Sequence, residues 1–201
     1  MCYSNRYLCL IAAIFSVIYF GHVAATANDD APESPTAALD KLVGEVIQGG
    51  EWRTPNPDYK PGENAPTHYS HRYSWGPYKQ HVTGELVGIF YTDEGEKEIR
   101  FWTLYAFYNP VTFKAEAYQI GWNGSIATGT MHRNADGNLV IEQTFYGIDG
   151  SKKDMMHEEK MDMSGDWYRS DVFEKDGAGN WVEARDWIWT KHPKSSVEPS
   201  N

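Results

Sequence analysis

The 201-residue sequence predicts an all-β fold, an antiparallel meander of about ten strands closed into a barrel, with a short N-terminal helix in front of it. Two observations carry this expectation. From about Val43 to Trp189, turn signals recur about every 8 to 14 residues between segments rich in aromatic and β-branched residues; they include Gly76-Pro77, Asn123-Gly124, Asp149-Gly150 and Asp176-Gly177. No segment between these turns is long enough for a crossover helix, which disfavours a parallel βαβ sheet.

Along the chain, residues 1–27 read as a secretory signal. Arg6 supplies a positive start, Leu8 to Phe20 an apolar stretch, and Ala25-Thr26-Ala27 a small-x-small cleavage site before Asn28. The apolar stretch is shorter than the roughly 20 residues that span a bilayer, so cleavage without membrane insertion and a secreted or periplasmic location are expected. Both cysteines, Cys2 and Cys9, lie in this segment, so the rest of the chain has no disulfide, thiolate ligand or cysteine nucleophile.

Residues 28–35 read as a flexible leader, and Thr36 to Leu42 as a short helix that Thr36 caps. A first strand is expected over Val43 to Arg53, broken near Gly49-Gly50, and then a long loop from Thr54 to Thr67 containing four prolines. Nine further strands are expected at His68–Trp75, Tyr78–Tyr91, Lys97–Tyr108, Thr112–Trp122, Ser125–Arg133, Leu139–Tyr146, Lys152–Met163, Trp167–Glu174 and Trp181–Thr190. Asp154 to Met163 consists of good helix formers and competes with its strand assignment. Asn123-Gly124 predicts a type I′ hairpin. Residues 36–190 thus make one domain, and 191–201 a polar tail.

Composition limits the partners. With 28 acidic against 18 basic residues the net charge is -10, which disfavours nucleic acid and anionic membrane surfaces. Eight tryptophans and 13 tyrosines exceed what a core of this size requires. Alternation puts Tyr69, His71, Tyr73 and Trp75 on one strand face, and Trp102 and Tyr118 follow on adjacent strands. An aromatic cavity with a few polar groups is how small-ligand sites are built, so His71, Tyr73, Trp75, Trp102 and Tyr118 are the candidate ligand-binding residues.

No motif for catalysis, metal or cofactor stands out. His68 and His71 point to opposite faces of one strand, no H-x-H or H-E-x-x-H occurs, and no serine lies in a G-x-S-x-G elbow. Met155, Met156, Met161 and Met163 beside His157 suit Cu(I), but core filling explains them better. No cofactor is expected, and no metal ligands are assigned.

The chain resembles the calycin-like barrels, that is lipocalins, fatty-acid-binding proteins and bacterial secreted lipocalin-like members, over about Ala38 to Trp189. Leu42-Val43-Gly44-Glu45-Val46 looks like the lipocalin-type Gly-x-Trp strand start with Val46 in the tryptophan position, and Gly50-Glu51-Trp52 is a second candidate. In that family the tryptophan packs against an arginine of the last strand. The resemblance implies a structural contact between Trp52 and Arg185.

The leading expectation is an exported barrel that binds a small apolar or amphipathic molecule. The alternatives are an enzyme or isomerase with a histidine–carboxylate site at the barrel mouth, with His71, His157 or a nearby glutamate as base, and a structural or interaction protein with a solid barrel and exposed aromatics.

Overall fold

The structure, a computed structural model, describes residues 34–193. The expected signal, residues 28–33 of the leader and the tail beyond Pro193 lie outside the described residues. A helix, α1 (Pro35–Gly49), precedes ten strands: β1 (Glu51–Pro55), β2 (His68–Trp75), β3 (His81–Thr92), β4 (Gly95–Asn109), β5 (Lys114–Gly121), β6 (Ile126–Arg133), β7 (Leu139–Tyr146), β8 (Lys152–Met161), β9 (Trp167–Lys175) and β10 (Trp181–His192). Each strand pairs antiparallel with its sequence neighbour, and β1 pairs with β10, so the meander closes into a barrel.

The helix is longer than expected, and the first strand starts later. Ser34 is the cap, its Oγ accepting from the Ala37 amide at 3.2 Å, and Pro35 pre-sets the first turn. Val43 to Ile47 continue the helix because Leu39, Val43 and Ile47, four apart, bury one face. The helix ends where Gly50 takes φ 76°, a left-handed conformation that costs glycine nothing. Both the Thr36–Leu42 helix and the Val43 strand start are therefore corrected, and of the two Gly-x-x registers only Gly50-Glu51-Trp52 opens a strand.

The third expected strand also starts late. Pro77 to Lys79 form a single 3-10 turn in which Tyr78 and Lys79 take positive φ, so pairing begins at His81. Lys152 to Met161 is strand despite its helical propensity, because it pairs on both sides, with β7 and with β9.

One turn design explains much of the rhythm. Five hairpins close with an N–H from a glycine bonded to the carbonyl three residues earlier and a second bond across the loop base: Gly121/Gly124, Asn134/Gly137, Gly147/Gly150, Asp162/Gly165 and Asp176/Gly179. In each the last loop glycine has positive φ, between 72° and 88°. At Asn123-Gly124 only the glycine is left-handed, so the turn is a type I turn with a glycine bulge rather than the expected I′.

Interior side chains differ between the barrel ends. At one end α1 packs on Ala106, Ala115, Ala117, Met131 and Leu139, whose small or flexible side chains let the helix sit close to the sheet. Trp52, Tyr168 and Trp189 form a second cluster beside it. On the outer wall, Glu51 accepts from Arg53 at 2.7 Å, Ser70 at 2.9 Å and Arg72 at 3.2 Å; these partners hold its carboxyl below the usual range against the opposing effect of burial.

Candidate functional site

The barrel is hollow. A cavity of about 420 Å³ occupies the part that α1 does not fill, with His71, Tyr73, Trp102, Phe145, His157 and Trp187 among its walls. A region of about 390 Å³ shares His71, Trp102, His157 and Trp187 and extends to Trp122, which is 74% exposed at the turn after β5. Toward the helix a void of about 30 Å³, room for about one water, lies between Val43, Tyr73, Glu159 and Tyr168.

Strand alternation builds these walls. β2 sends Tyr69, His71 and Tyr73 inward, and β8 sends Lys153, Met155, His157 and Glu159. From β9 come Tyr168, Ser170 and Val172, and from β10 Arg185, Trp187 and Trp189. His71, Tyr73, His157 and Glu159 lie deep in the barrel yet remain partly accessible, because their free surface faces the cavity.

The polar groups form two connected sets. The His71 ring is stacked on Trp189, centroids 4.1 Å apart and planes 8° from parallel. Its Nδ1 lies 3.1 Å from the Tyr73 hydroxyl and 3.2 Å from that of Tyr168. Burial, and then the neighbouring His157, push the His71 pKa down to about 3, and burial pushes His157 down to about 4, so both rings are neutral at ordinary pH. Burial also raises the Tyr73 and Tyr168 hydroxyls, which stay protonated donors.

The second set joins Gln119, Gln143, Glu159 and Ser170. Gln119 Nε2 donates to Gln143 Oε1 at 2.6 Å, and Ser170 Oγ donates to Glu159 Oε1 at 2.9 Å. Burial, reinforced by the Asp171 charge and opposed by the Ser170 bond, pushes the Glu159 carboxyl up to about 8. Gln143 Nε2 and Glu159 Oε2 are buried without a hydrogen-bond partner among the described residues.

Of the five residues expected to bind ligand, His71, Tyr73 and Trp102 meet in this cavity. Trp75 does not. It packs beneath α1 with the Lys79 ammonium 5.3 Å from its ring. Tyr118 is on the outside, 45% exposed and stacked on Phe107 at 6.2 Å, because its neighbours Ala117 and Gln119 take the inward positions of β5. Across the pairing register Tyr118 continues into an exposed outer stripe with Tyr105, Ile120, Ile126 and Tyr146.

Trp52 is fully buried, but its partner is not Arg185. Its indole N–H donates to the Val46 carbonyl at 2.9 Å, and its ring meets Tyr168 edge-on at 5.0 Å. Trp52 pairs with Lys191, whereas Arg185 lies six residues away along β10, about 20 Å at 3.3 Å per residue. The guanidinium instead lies 5.7 Å from the Trp187 ring.

The described residues contain no converging group of three histidines or acids that would hold a metal. The methionines do not gather either, since Met155 faces the cavity and Met163 is fully exposed. Neither His71 nor His157 is hydrogen-bonded to a carboxylate among the described residues; His71 is held by tyrosines.

Sequence reasoning passed over Gln119, Gln143 and Ser170, and reached Glu159 only as a glutamate near His157. The signal for Glu159 was the two-residue spacing from His157, which puts both on one face of a strand; for the glutamines it was their place among inward Ala117, Gly121, Ile141 and Phe145. Compared with known proteins, no family model matches the chain, and the curated proteins likewise give no match.

Proposed function

We propose that this chain is an exported, calycin-like barrel that binds a small apolar or amphipathic molecule. The observation that carries this reading is the cavity of about 420 Å³, walled by Trp102, Phe145 and Trp187 with a few polar groups between them. Its size and lining are those of small-ligand sites, and a solid barrel would have filled the space with rings. A mouth-sited catalytic pair has less support, because His157 and Glu159 sit in the barrel interior and neither His71 nor His157 is hydrogen-bonded to a carboxylate among the described residues. Secretion and a periplasmic or extracellular location rest on residues 1–27 alone.

The test is titration with the neutral dye Nile red, together with solvent extraction and mass spectrometry of protein purified from its own host. One saturable site, displaced by the extracted molecule, is the expected result; the absence of saturable binding rejects the proposal. The rival interaction surface is the outer stripe. Tyr118→Ala and Ile120→Ala leave Nile red binding unchanged if the cavity is the site, and weaken it if the dye sits on the stripe.

A further inference from the structure

We infer that the ligand of this cavity is a flat, uncharged ring system with a hydrogen-bond acceptor at its inner end, and that Glu159 is the polar anchor of that acceptor. This deepens the binding-barrel reading and rests on it.

Gln143 has given its Oε1 to Gln119, which leaves its Nε2 hydrogens, and Glu159 has given its Oε1 to the Ser170 hydroxyl. A carboxyl in these surroundings retains its proton, and with Oε1 accepting, the proton belongs on Oε2. The two unpartnered buried atoms, Gln143 Nε2 and Glu159 Oε2, are thus both donors. A buried donor without an acceptor is unfavourable, and a ligand acceptor relieves it.

They stand at different depths. Gln143 is opposite Met155 and Glu159 is opposite Leu139, four residues or about 13 Å further along β8, with His157 between. A ring system entering from the side of Trp187 and Phe145 passes Gln143 first and ends against Glu159.

Shape and charge narrow the class. The stacked His71 and Trp189 rings, with Trp187 and Trp102 on the same walls, suit a planar guest. The groups facing Glu159 are His157 on its own strand, Tyr168 and Ser170 on β9, His71 and Tyr73 on β2, and apolar Leu139 and Ile141 on β7. None carries a positive charge at neutral pH. Lys160 and Arg169 are held by Asp171 on the outer wall at 2.6 and 2.5 Å, Lys153 is held by Glu174 at 2.6 Å, and Arg185, which lines the cavity at its open end, has its guanidinium 5.7 Å from the Trp187 ring. An anion reaching this depth would meet no countercharge.

The experiment uses the full chain and tryptophan quenching by three probes of one shape: 9-fluorenone, which has a carbonyl; fluorene, which does not; and 9-fluorenone-2-carboxylate. At about pH 6 fluorenone should bind about tenfold tighter than fluorene, with the carboxylate weakest. At about pH 9.5 the preference for fluorenone should collapse, because Glu159 has lost its proton. Glu159→Gln keeps a donor and should preserve the preference at both pH values. Glu159→Met should abolish it, whereas Gln143→Met, about 13 Å away along β8, should leave it, and fluorene binding by the same variants reports that the cavity is intact. Equal affinity for fluorene and fluorenone in the unmodified protein, or a preference that survives Glu159→Met, overturns the anchor while leaving the binding barrel standing. If no probe and no Nile red binds, the barrel reading itself falls, and this inference with it.

Discussion

The two ends of the barrel reverse a simple expectation about size. The end under α1 is lined by Ala106, Ala115 and Ala117 and is filled, whereas the other end is lined by Trp102, Phe145 and Trp187 and is empty. Small side chains make a full core because they leave room for an entire helix face, Leu39, Val43 and Ile47, to enter. At the other end Trp102 and Phe145 meet edge-on at 5.5 Å and Trp187 meets Tyr69 at 5.6 Å, and no element of the described chain covers the space beside them. What fills a ten-stranded barrel is therefore the segment that enters its end, rather than the volume of its wall residues.

The sharpest test of this contrast removes one large ring from each end. Trp52 is completely buried at the filled end, with its N–H bonded to Val46 of the helix and its ring against Tyr168, so Trp52→Ala should cost about 3–5 kcal/mol by chemical denaturation. Equal losses for Trp52→Ala and Trp102→Ala would mean that the two ends are packed alike.

Titration separates the ends next, because the deep titratable groups lie in the hollow part. Burial holds Glu159 protonated up to about 8, above its unfolded value of about 4.5, so the folded state retains a proton that the unfolded chain releases. Its contribution is complete below about pH 4.5 and is lost as pH rises toward 8, an effect on the order of a few kcal/mol. His71 and His157, pushed down to about 3 and 4, have the opposite sign: the unfolded chain binds protons first, and stability falls as pH drops from about 6.5. Denaturation of Glu159→Gln across this range should show the alkaline slope flattened and the acid limb retained. An unchanged alkaline slope would place the Glu159 carboxyl in water.

Trp102 supplies the other half of the ring comparison. It faces open space on one side and meets Phe145 edge-on at 5.5 Å, so much of the contact that a core tryptophan makes is already missing. Trp102→Ala should cost about 1–2 kcal/mol in stability and weaken Nile red binding. A cost as large as that of Trp52→Ala, with dye binding intact, would count against the open cavity.

The same asymmetry governs what could be read from the sequence. Closure into a barrel was legible because turn chemistry is local: Asn123-Gly124, Asp136-Gly137 and Asp149-Gly150 each reverse the chain with residues suited to the turn. The inward face of β2 was legible from alternation, which placed His71 and Tyr73 correctly. The length of α1 was not. Val43, Val46 and Ile47 are β-prone residues held helical by burial of Leu39, Val43 and Ile47 against a sheet that is distant in sequence. Tyr118 was misplaced for a related reason: in β5 the inward positions are taken by Ala115, Ala117 and Gln119, so the largest side chain of that strand points out. The resemblance-based pairing of Trp52 with Arg185 failed on register, since β10 meets β1 at Thr190 to His192.

That failure sets the smallest expected effect. Arg185 is exposed at the open end, with its guanidinium 5.7 Å from the Trp187 ring and no ion-pair partner among the described residues. A cation against a ring at an exposed site is worth about 0.5–1 kcal/mol, and loss of the aliphatic stem adds little where the stem covers no core. Arg185→Ala should therefore lower the melting temperature by only a few degrees at most. Because Arg185 lines the cavity beside Trp187 and the Lys153–Glu174 pair, the substitution should instead change how fast Nile red enters and leaves, read by stopped-flow fluorescence. A large fall in melting temperature with unaltered dye kinetics would return Arg185 to the filled end of the molecule and undo the division between the two ends.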